Sequence, residues 1–64
     1  MKKETILIVE DDGVLAIHLQ DMMSNRGYSV LKPVKTCEEA IAAAAAHKPD
    51  LILMDIHLYG EISE

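Results

Sequence analysis

Two short, uninterrupted apolar runs constrain the fold of this chain more than any other feature. They cover residues 5–9 and 51–54, and both are rich in branched aliphatic side chains. Alternation of apolar and polar residues indicates a strand with one face exposed to solvent. Continuous apolar runs are typical of strands buried on both faces of a parallel sheet. Because neighbouring parallel strands need long crossover connections, the residues between the two runs should include helices.

The first predicted helix covers residues 14–26. Asp12 or Gly13 can cap its start, and Gly27 follows it where a helix commonly ends on a glycine. Apolar side chains recur along this segment at helical spacing, as expected for a helix that packs on a sheet: Leu15, Leu19, Met22 and Met23.

The second predicted helix covers residues 37–48. Thr36 and Glu39 stand in the T-x-x-E arrangement of a capping box, which satisfies the free amides at a helix start. The alanines at 42–46 have the highest helix propensity, and Pro49 cannot continue a helix.

A weaker strand is predicted at residues 29–34, between the helices. It contains Pro33, which has no amide to donate, so this strand should lie at an edge of the sheet. The order is then β-α-β-α-β, and right-handed crossovers make the sheet parallel. With the second strand at an edge, the first and third should be neighbours. We therefore predict a single α/β domain with strand order 2-1-3 and one helix on each face.

Acidic residues follow both apolar runs. Glu10, Asp11 and Asp12 end the first, and Asp55 ends the third strand. In open parallel sheets, ligands bind beyond the carboxyl ends of the strands, where the strand order reverses. Carboxylates that converge there repel one another unless a cation neutralises them, and oxygen ligands favour Mg²⁺. An aspartate beside Mg²⁺ can act as a nucleophile toward phosphorus. The alternatives are that Asp12 caps the helix and that Asp55 is an ordinary strand-end residue.

Composition excludes several classes of function. The formal net charge is −5, which argues against binding of nucleic acid or of an anionic membrane by this segment. No apolar run approaches the length of a membrane-spanning helix. The one cysteine, Cys37, allows no intrachain disulfide, which favours a cytoplasmic location.

Four segments together resemble the receiver domains of two-component response regulators. They are residues 6–12, 27–28, 39–40 and 49–58, so the resemblance extends over nearly the whole chain. It implies the flavodoxin-like, doubly wound form of the α/β fold, similar to that of chemotaxis regulators. It also implies that the chain is a phosphorelay module rather than a turnover enzyme, which takes a phosphoryl group from a sensor histidine kinase or a phosphotransfer protein.

The resemblance also implies roles for individual residues. Asp55 matches the phosphoacceptor, and Asp11 matches a direct ligand of Mg²⁺. Glu10 matches the acid that reaches the ion through water, and the backbone carbonyl of His57 matches a third protein ligand. Asp12 falls one position beyond the usual acidic pair and is not assigned to the metal.

The chain departs from the family pattern in two respects. Tyr59-Gly60 stands where the family usually has Pro-Gly, and receiver domains continue for roughly as long again beyond Glu64. Residues 1–64 are therefore expected to be the N-terminal part of a single receiver domain, inactive alone. The third strand would then be an apolar edge strand with unpaired backbone groups, and such edges pair with strands of other chains. We therefore expect the chain to self-associate through its third strand.

Two other functions are compatible with parts of this pattern. One is a receiver-like scaffold for protein contacts that is not phosphorylated, although the intact acidic residues argue against it. The other is a small metal-dependent phosphatase, but His57 stands where such an enzyme would have its general acid two residues after Asp55.

Overall fold

The computed structural model describes residues 3–55, with side chains for residues 3–54. Five elements follow one another: β1 (Thr5–Glu10), α1 (Gly13–Asn25), β2 (Ser29–Val30), α2 (Cys37–His47) and β3 (Leu51–Asp55). This order confirms the predicted β-α-β-α-β arrangement, and each helix lies within one residue of its predicted bounds. His57 and Tyr59-Gly60 lie outside the described residues.

The three strands form one parallel sheet in the order β2-β1-β3, as predicted. The pairing of β1 with β3 is regular along its length, from Ile6 opposite Leu51 to Glu10 opposite Asp55. The order reverses direction between β1 and β3, because the chain passes from β1 to one side and then returns to the other. The carboxyl ends of these two strands therefore meet at one edge of the sheet.

The central strand β1 contains most of the core. Its residues from Ile6 to Glu10 are all buried, and the side chains of Leu7 and Ile8 are fully inaccessible to solvent. Leu7 and Val9 pack with Ala40 of α2 on one face of the sheet. Successive side chains point to opposite faces of a strand, so Ile6 and Ile8 lie on the other face, which α1 covers. Burial on both faces explains why this run is continuously apolar.

β2 is an edge strand, as Pro33 predicted, but its regular part is shorter than expected. It pairs with β1 at Ser29 and Val30, and one further bridge joins Val34 to Val9. The Leu31 amide donates to the Ile6 carbonyl at 3.0 Å. In a regular parallel ladder the next donor would be residue 33, two positions on. Proline has no such donor, so the Val34 amide bonds to the Ile8 carbonyl at 2.9 Å instead.

Helix α1 ends in the hydrogen-bond pattern known as the Schellman motif. The Gly27 amide donates to the Ser24 carbonyl at 3.1 Å, and the Tyr28 amide donates to the Met23 carbonyl at 3.2 Å. Gly27 has a φ of 97°, which side chains with a Cβ rarely adopt. The predicted glycine terminus is thus confirmed.

Helix α2 begins with one half of the predicted capping box. The Thr36 hydroxyl accepts a hydrogen bond from the Glu39 amide at 3.1 Å. The Glu39 carboxylate does not return this bond to Thr36; it accepts from the Lys35 amide at 2.9 Å, one residue earlier. A side chain in the first turn of α2 therefore also fixes Lys35, the residue that precedes the N-cap. At the other end, Lys48 adopts a left-handed conformation with a φ of 48°.

Strand β3 is the least covered strand of the sheet within residues 3–55. Among the described residues, β3 packs against β1 and against neither helix. Leu51, Ile52 and Met54 consequently remain 43%, 49% and 50% exposed. None of the helices in the described part of the chain is long and apolar enough to cross a membrane.

Candidate functional site

The two predicted acidic positions meet at the carboxyl edge of the sheet. Glu10 and Asp55 are the last residues of β1 and β3, and they are direct partners in the parallel pairing. Their backbones therefore run side by side, although the chain separates them by two helices and a strand. This register places the beginning of the β1–α1 connection, at Asp11, next to the end of β3.

Glu10 is the one buried charged residue of the described chain, with 1% of its surface exposed. Its Oε2 atom accepts a hydrogen bond from the Asp12 amide at 3.0 Å. Its own amide donates to the Val34 carbonyl at 2.9 Å, which ties β1 to the end of the β2 segment. Glu10 is thus fixed by the sheet on both sides, and its carboxylate holds the turn that follows.

Asp12 caps the start of α1. Its Oδ1 atom accepts hydrogen bonds from the amides of Val14 at 3.0 Å and Leu15 at 3.2 Å. These are amides that a helix leaves without partners in its first turn, and an aspartate at the N-cap satisfies them. Of the two residues predicted as possible caps, the structure selects Asp12 rather than Gly13.

Asp11 lies between these two anchored neighbours and is exposed. Its carboxylate takes part neither in the hydrogen bond made by Glu10 nor in those made by Asp12. The connection from β1 to α1 consists of Asp11 and Asp12 alone. Because one of them caps the helix, Asp11 is left to present its carboxylate toward solvent at the sheet edge.

The donor atoms at this edge fit a hard cation such as Mg²⁺, since those described are carboxylate oxygens. Within residues 3–54, for which side chains are described, no three metal-ligating side chains form a group around one point. The side chain of Asp55 and the carbonyl of His57, both predicted to be ligands, lie outside that part of the chain. Glu10 and Asp11 are the described residues available to such a site.

Asp50, which no sequence pattern singled out, joins β1 and β3 at the end of the strand pair opposite to the acidic residues. Its Oδ2 atom accepts a hydrogen bond from the Thr5 amide at 2.7 Å, and its own amide donates to the Thr5 carbonyl at 2.8 Å. This reciprocal pair lies where β1 and β3 begin, so it helps to set the register that brings Glu10 beside Asp55. An aspartate directly after Pro49 and directly before an apolar strand was the available signal.

Comparison with known proteins agrees with this arrangement. Residues 6–62 match the family model described as the response regulator receiver domain. The chain is 34% identical to the transcriptional regulatory protein PdtaR of Mycobacterium tuberculosis, over 83% of this chain and 26% of that protein. It is 36% identical to the polar-differentiation response regulator DivK of Brucella anthropi, over 86% of this chain and 44% of that protein.

A third relative is named for an enzymatic activity. A protein-glutamate methylesterase/protein-glutamine glutaminase of Archaeoglobus fulgidus is 30% identical over 83% of this chain and 15% of its own length. The chain thus spans less than half of these curated relatives, and about a quarter of PdtaR. No solved structure matches it significantly. The family match extends over most of the chain and includes both acidic strand ends, so this chain belongs to the response regulator receiver domain family.

Proposed function

We propose that this chain is the N-terminal part of a single receiver domain that accepts a phosphoryl group on Asp55. The observation that carries the proposal is the pairing of Glu10 with Asp55 at the carboxyl ends of β1 and β3. This register brings an acidic turn beside the acceptor position, which is the arrangement that phosphoryl transfer to an aspartate needs. Family membership supports the same role in two-component signalling.

The proposed donor is a phosphohistidine of a sensor kinase or of a phosphotransfer protein. In the transfer, a carboxylate oxygen of Asp55 bonds to phosphorus as the bond from phosphorus to the histidine nitrogen breaks. The leaving imidazole then takes up a proton. The product is an acyl phosphate, a modification of the protein rather than a released product. The domain would accordingly be a signalling switch and not a turnover enzyme.

Mg²⁺ is the proposed cofactor, held by Asp11, by Asp55, by the backbone carbonyl of His57, and through water by Glu10. When bound, the ion offsets the negative charge that the incoming phosphoryl group brings to an acidic edge. The exposed Asp11 and the buried Glu10 support this assignment, since they supply carboxylates at the sheet edge. Asp12 is excluded from it because its Oδ1 atom is engaged at the start of α1.

The test uses the full-length protein that contains residues 1–64, incubated with acetyl phosphate and Mg²⁺. Intact-mass measurement should find a single phosphoryl adduct that is lost on treatment with hydroxylamine, which cleaves acyl phosphates. Asp55→Asn should abolish the adduct. Asp21→Asn, a substitution of an exposed aspartate on α1, should leave it at the wild-type level. A full adduct in Asp55→Asn would refute the assignment. The 64-residue chain alone should react poorly or not at all.

We also propose that the isolated chain self-associates through β3. Three of its apolar side chains, Leu51, Ile52 and Met54, are about half exposed, so each forgoes about half of the roughly 1.5–3 kcal/mol that full burial of such a side chain contributes. Two copies paired along β3 around a two-fold axis would form a six-stranded sheet, pair the open backbone edge of β3 and give its side chains neighbours on the adjoining strand. Their acidic edges would lie at opposite ends of that sheet, so the pairing would not involve the proposed site. We further expect a cytoplasmic location and no direct contact with nucleic acid or membrane.

A further inference from the structure

Glu10 has a geometry that its proposed role near the metal does not explain. A carboxylate that serves only to attract a cation would be expected at the surface, where Asp11 is. Glu10 is instead 1% exposed, and its Oε2 atom lies 3.0 Å from the Asp12 amide nitrogen, to which it is hydrogen-bonded. The bond spans two residues and encloses Asp11, the residue assigned as the direct ligand.

The turn is anchored at both ends. On one side, Glu10 is held in the sheet, where its amide bonds to the Val34 carbonyl at 2.9 Å and its backbone pairs with Asp55. On the other side, Asp12 is held by the two amides of α1 that its side chain caps. The Glu10–Asp12 hydrogen bond joins these two anchors and leaves little freedom for the peptide that carries Asp11.

From this geometry we infer that Glu10 is a positioning residue: it holds the Asp11–Asp12 turn through the Asp12 amide and so sets where the Asp11 carboxylate stands. The inference rests on the proposed function for its consequence, which is Mg²⁺ affinity, but the hydrogen bond itself can be tested without metal. Groups that orient a metal ligand typically contribute about 10–100-fold to metal affinity.

Two substitutions separate positioning from charge. Glu10→Gln removes the negative charge but keeps an oxygen acceptor at the same place on a side chain of the same length. Glu10→Ala removes both the charge and the acceptor. If Glu10 holds the turn through the Asp12 amide, the glutamine variant should keep the wild-type protection of that amide and the alanine variant should not. If Glu10 acts only through its charge, the two variants should lose Mg²⁺ affinity equally.

The matched control is Glu39→Ala. Glu39 also accepts a backbone amide, that of Lys35 at 2.9 Å, but this bond lies at the start of α2 and outside the Asp11–Asp12 turn. Its loss should reveal what removing any glutamate–amide bond does to the protein. We expect it to change neither the exchange of the Asp12 amide nor the affinity for Mg²⁺.

The first measurement is amide hydrogen exchange in the full-length protein without metal. The Asp12 amide should be protected in the wild type, in Glu10→Gln and in Glu39→Ala, and should exchange at least about 10-fold faster in Glu10→Ala, in keeping with the loss of its partner. Unchanged exchange in Glu10→Ala would overturn the inference. Protection of amides in β1, recorded in the same experiment, establishes that this variant is folded.

The second measurement is titration calorimetry with Mg²⁺. Affinity should fall about 10-fold or more in Glu10→Ala and by a clearly smaller factor in Glu10→Gln, which keeps the acceptor and loses only the charge that Glu10 offers to the ion through water. Equal losses in both would overturn the positioning role. Failure of the proposed function has a different signature, since Mg²⁺ would then fail to bind the wild type, while the exchange result would still decide the role of the hydrogen bond.

Discussion

The assignment of Asp12 to the helix and of Asp11 to the metal gives the sharpest test of the site. Asp12→Ala removes a single Oδ1 acceptor that receives two amide hydrogen bonds, at 3.0 and 3.2 Å. Loss of an N-cap of this kind costs about 1 kcal/mol, within a range of about 0.5–2 kcal/mol. For a domain of ~60–100 residues, that corresponds to a fall in Tm of about 4–8 °C.

The assay is urea and thermal unfolding followed by far-ultraviolet circular dichroism. Asp12→Asn serves as the control, because asparagine is about as good an N-cap as aspartate and keeps the acceptor oxygen. This variant should remain close to wild type in stability, so the loss in Asp12→Ala can be attributed to the cap. An alanine variant as stable as wild type would show that the two amide bonds contribute nothing.

The same control decides the metal assignment. Asp11→Asn should weaken Mg²⁺ binding markedly, because it removes the charge of a direct ligand. Asp12→Asn should weaken binding far less, since its carboxylate is directed to the amides of α1. Equal losses for the two variants in a calorimetric titration would refute the distinction between ligand and cap.

Other substitutions test the framework around the site. Gly27→Ala should destabilise the protein by about 1–2 kcal/mol in urea unfolding, because its φ of 97° is unfavourable for a residue with a Cβ. An added Cβ would meet no atom within 4 Å, so this cost comes from the backbone conformation and not from a steric clash. Asp50→Ala should cost about 1 kcal/mol and speed exchange of the Thr5 amide, and unchanged exchange would contradict that contact. Ile52→Lys should shift the 64-residue chain to monomer in sedimentation velocity, whereas Ile41→Lys on α2 should not; a wild-type monomer at tens of micromolar would refute self-association.

The sequence was sufficient for the architecture because the strongest signals were of the kind that tertiary structure rarely overrides. The continuous apolar run of β1 predicted burial on both faces, and Leu7 and Ile8 are indeed fully buried. The equally continuous run of β3 is not buried in this way, because neither helix packs on β3 in the described part of the chain. Pro33 predicted an edge strand, and Gly27 predicted the end of the first helix, which the structure shows in each case. Each of these predictions depends on one residue type or one hydrophobic pattern, and each has one dominant physical cause.

Contacts that depend on exact register were not predictable in the same way. The T-x-x-E pattern correctly predicted the Thr36 cap, but it could not show that Glu39 would bond to the Lys35 amide instead of returning the bond. Likewise, nothing local to Asp50 indicated Thr5 as its partner, because that contact exists only once β1 and β3 are paired. At the site, the sequence correctly offered Asp12 as a helix cap, but the burial of Glu10 and its bond to the Asp12 amide arise only in the folded chain.

The shifted pairing at Pro33 has a consequence for the rotational setting of α2. Val30 pairs with Ile6, an offset of 24, whereas Val34 pairs with Val9, an offset of 25. If the offset stayed at 24, each residue after Pro33 would move one position further along the path of the chain. In a helix, one position corresponds to a rotation of about 100° about the helix axis. Glu39 would then occupy the place of Ala40, against Leu7 and Val9. For a connection of the present length, the one-residue shift at Pro33 thus keeps the Glu39 carboxylate out of the core.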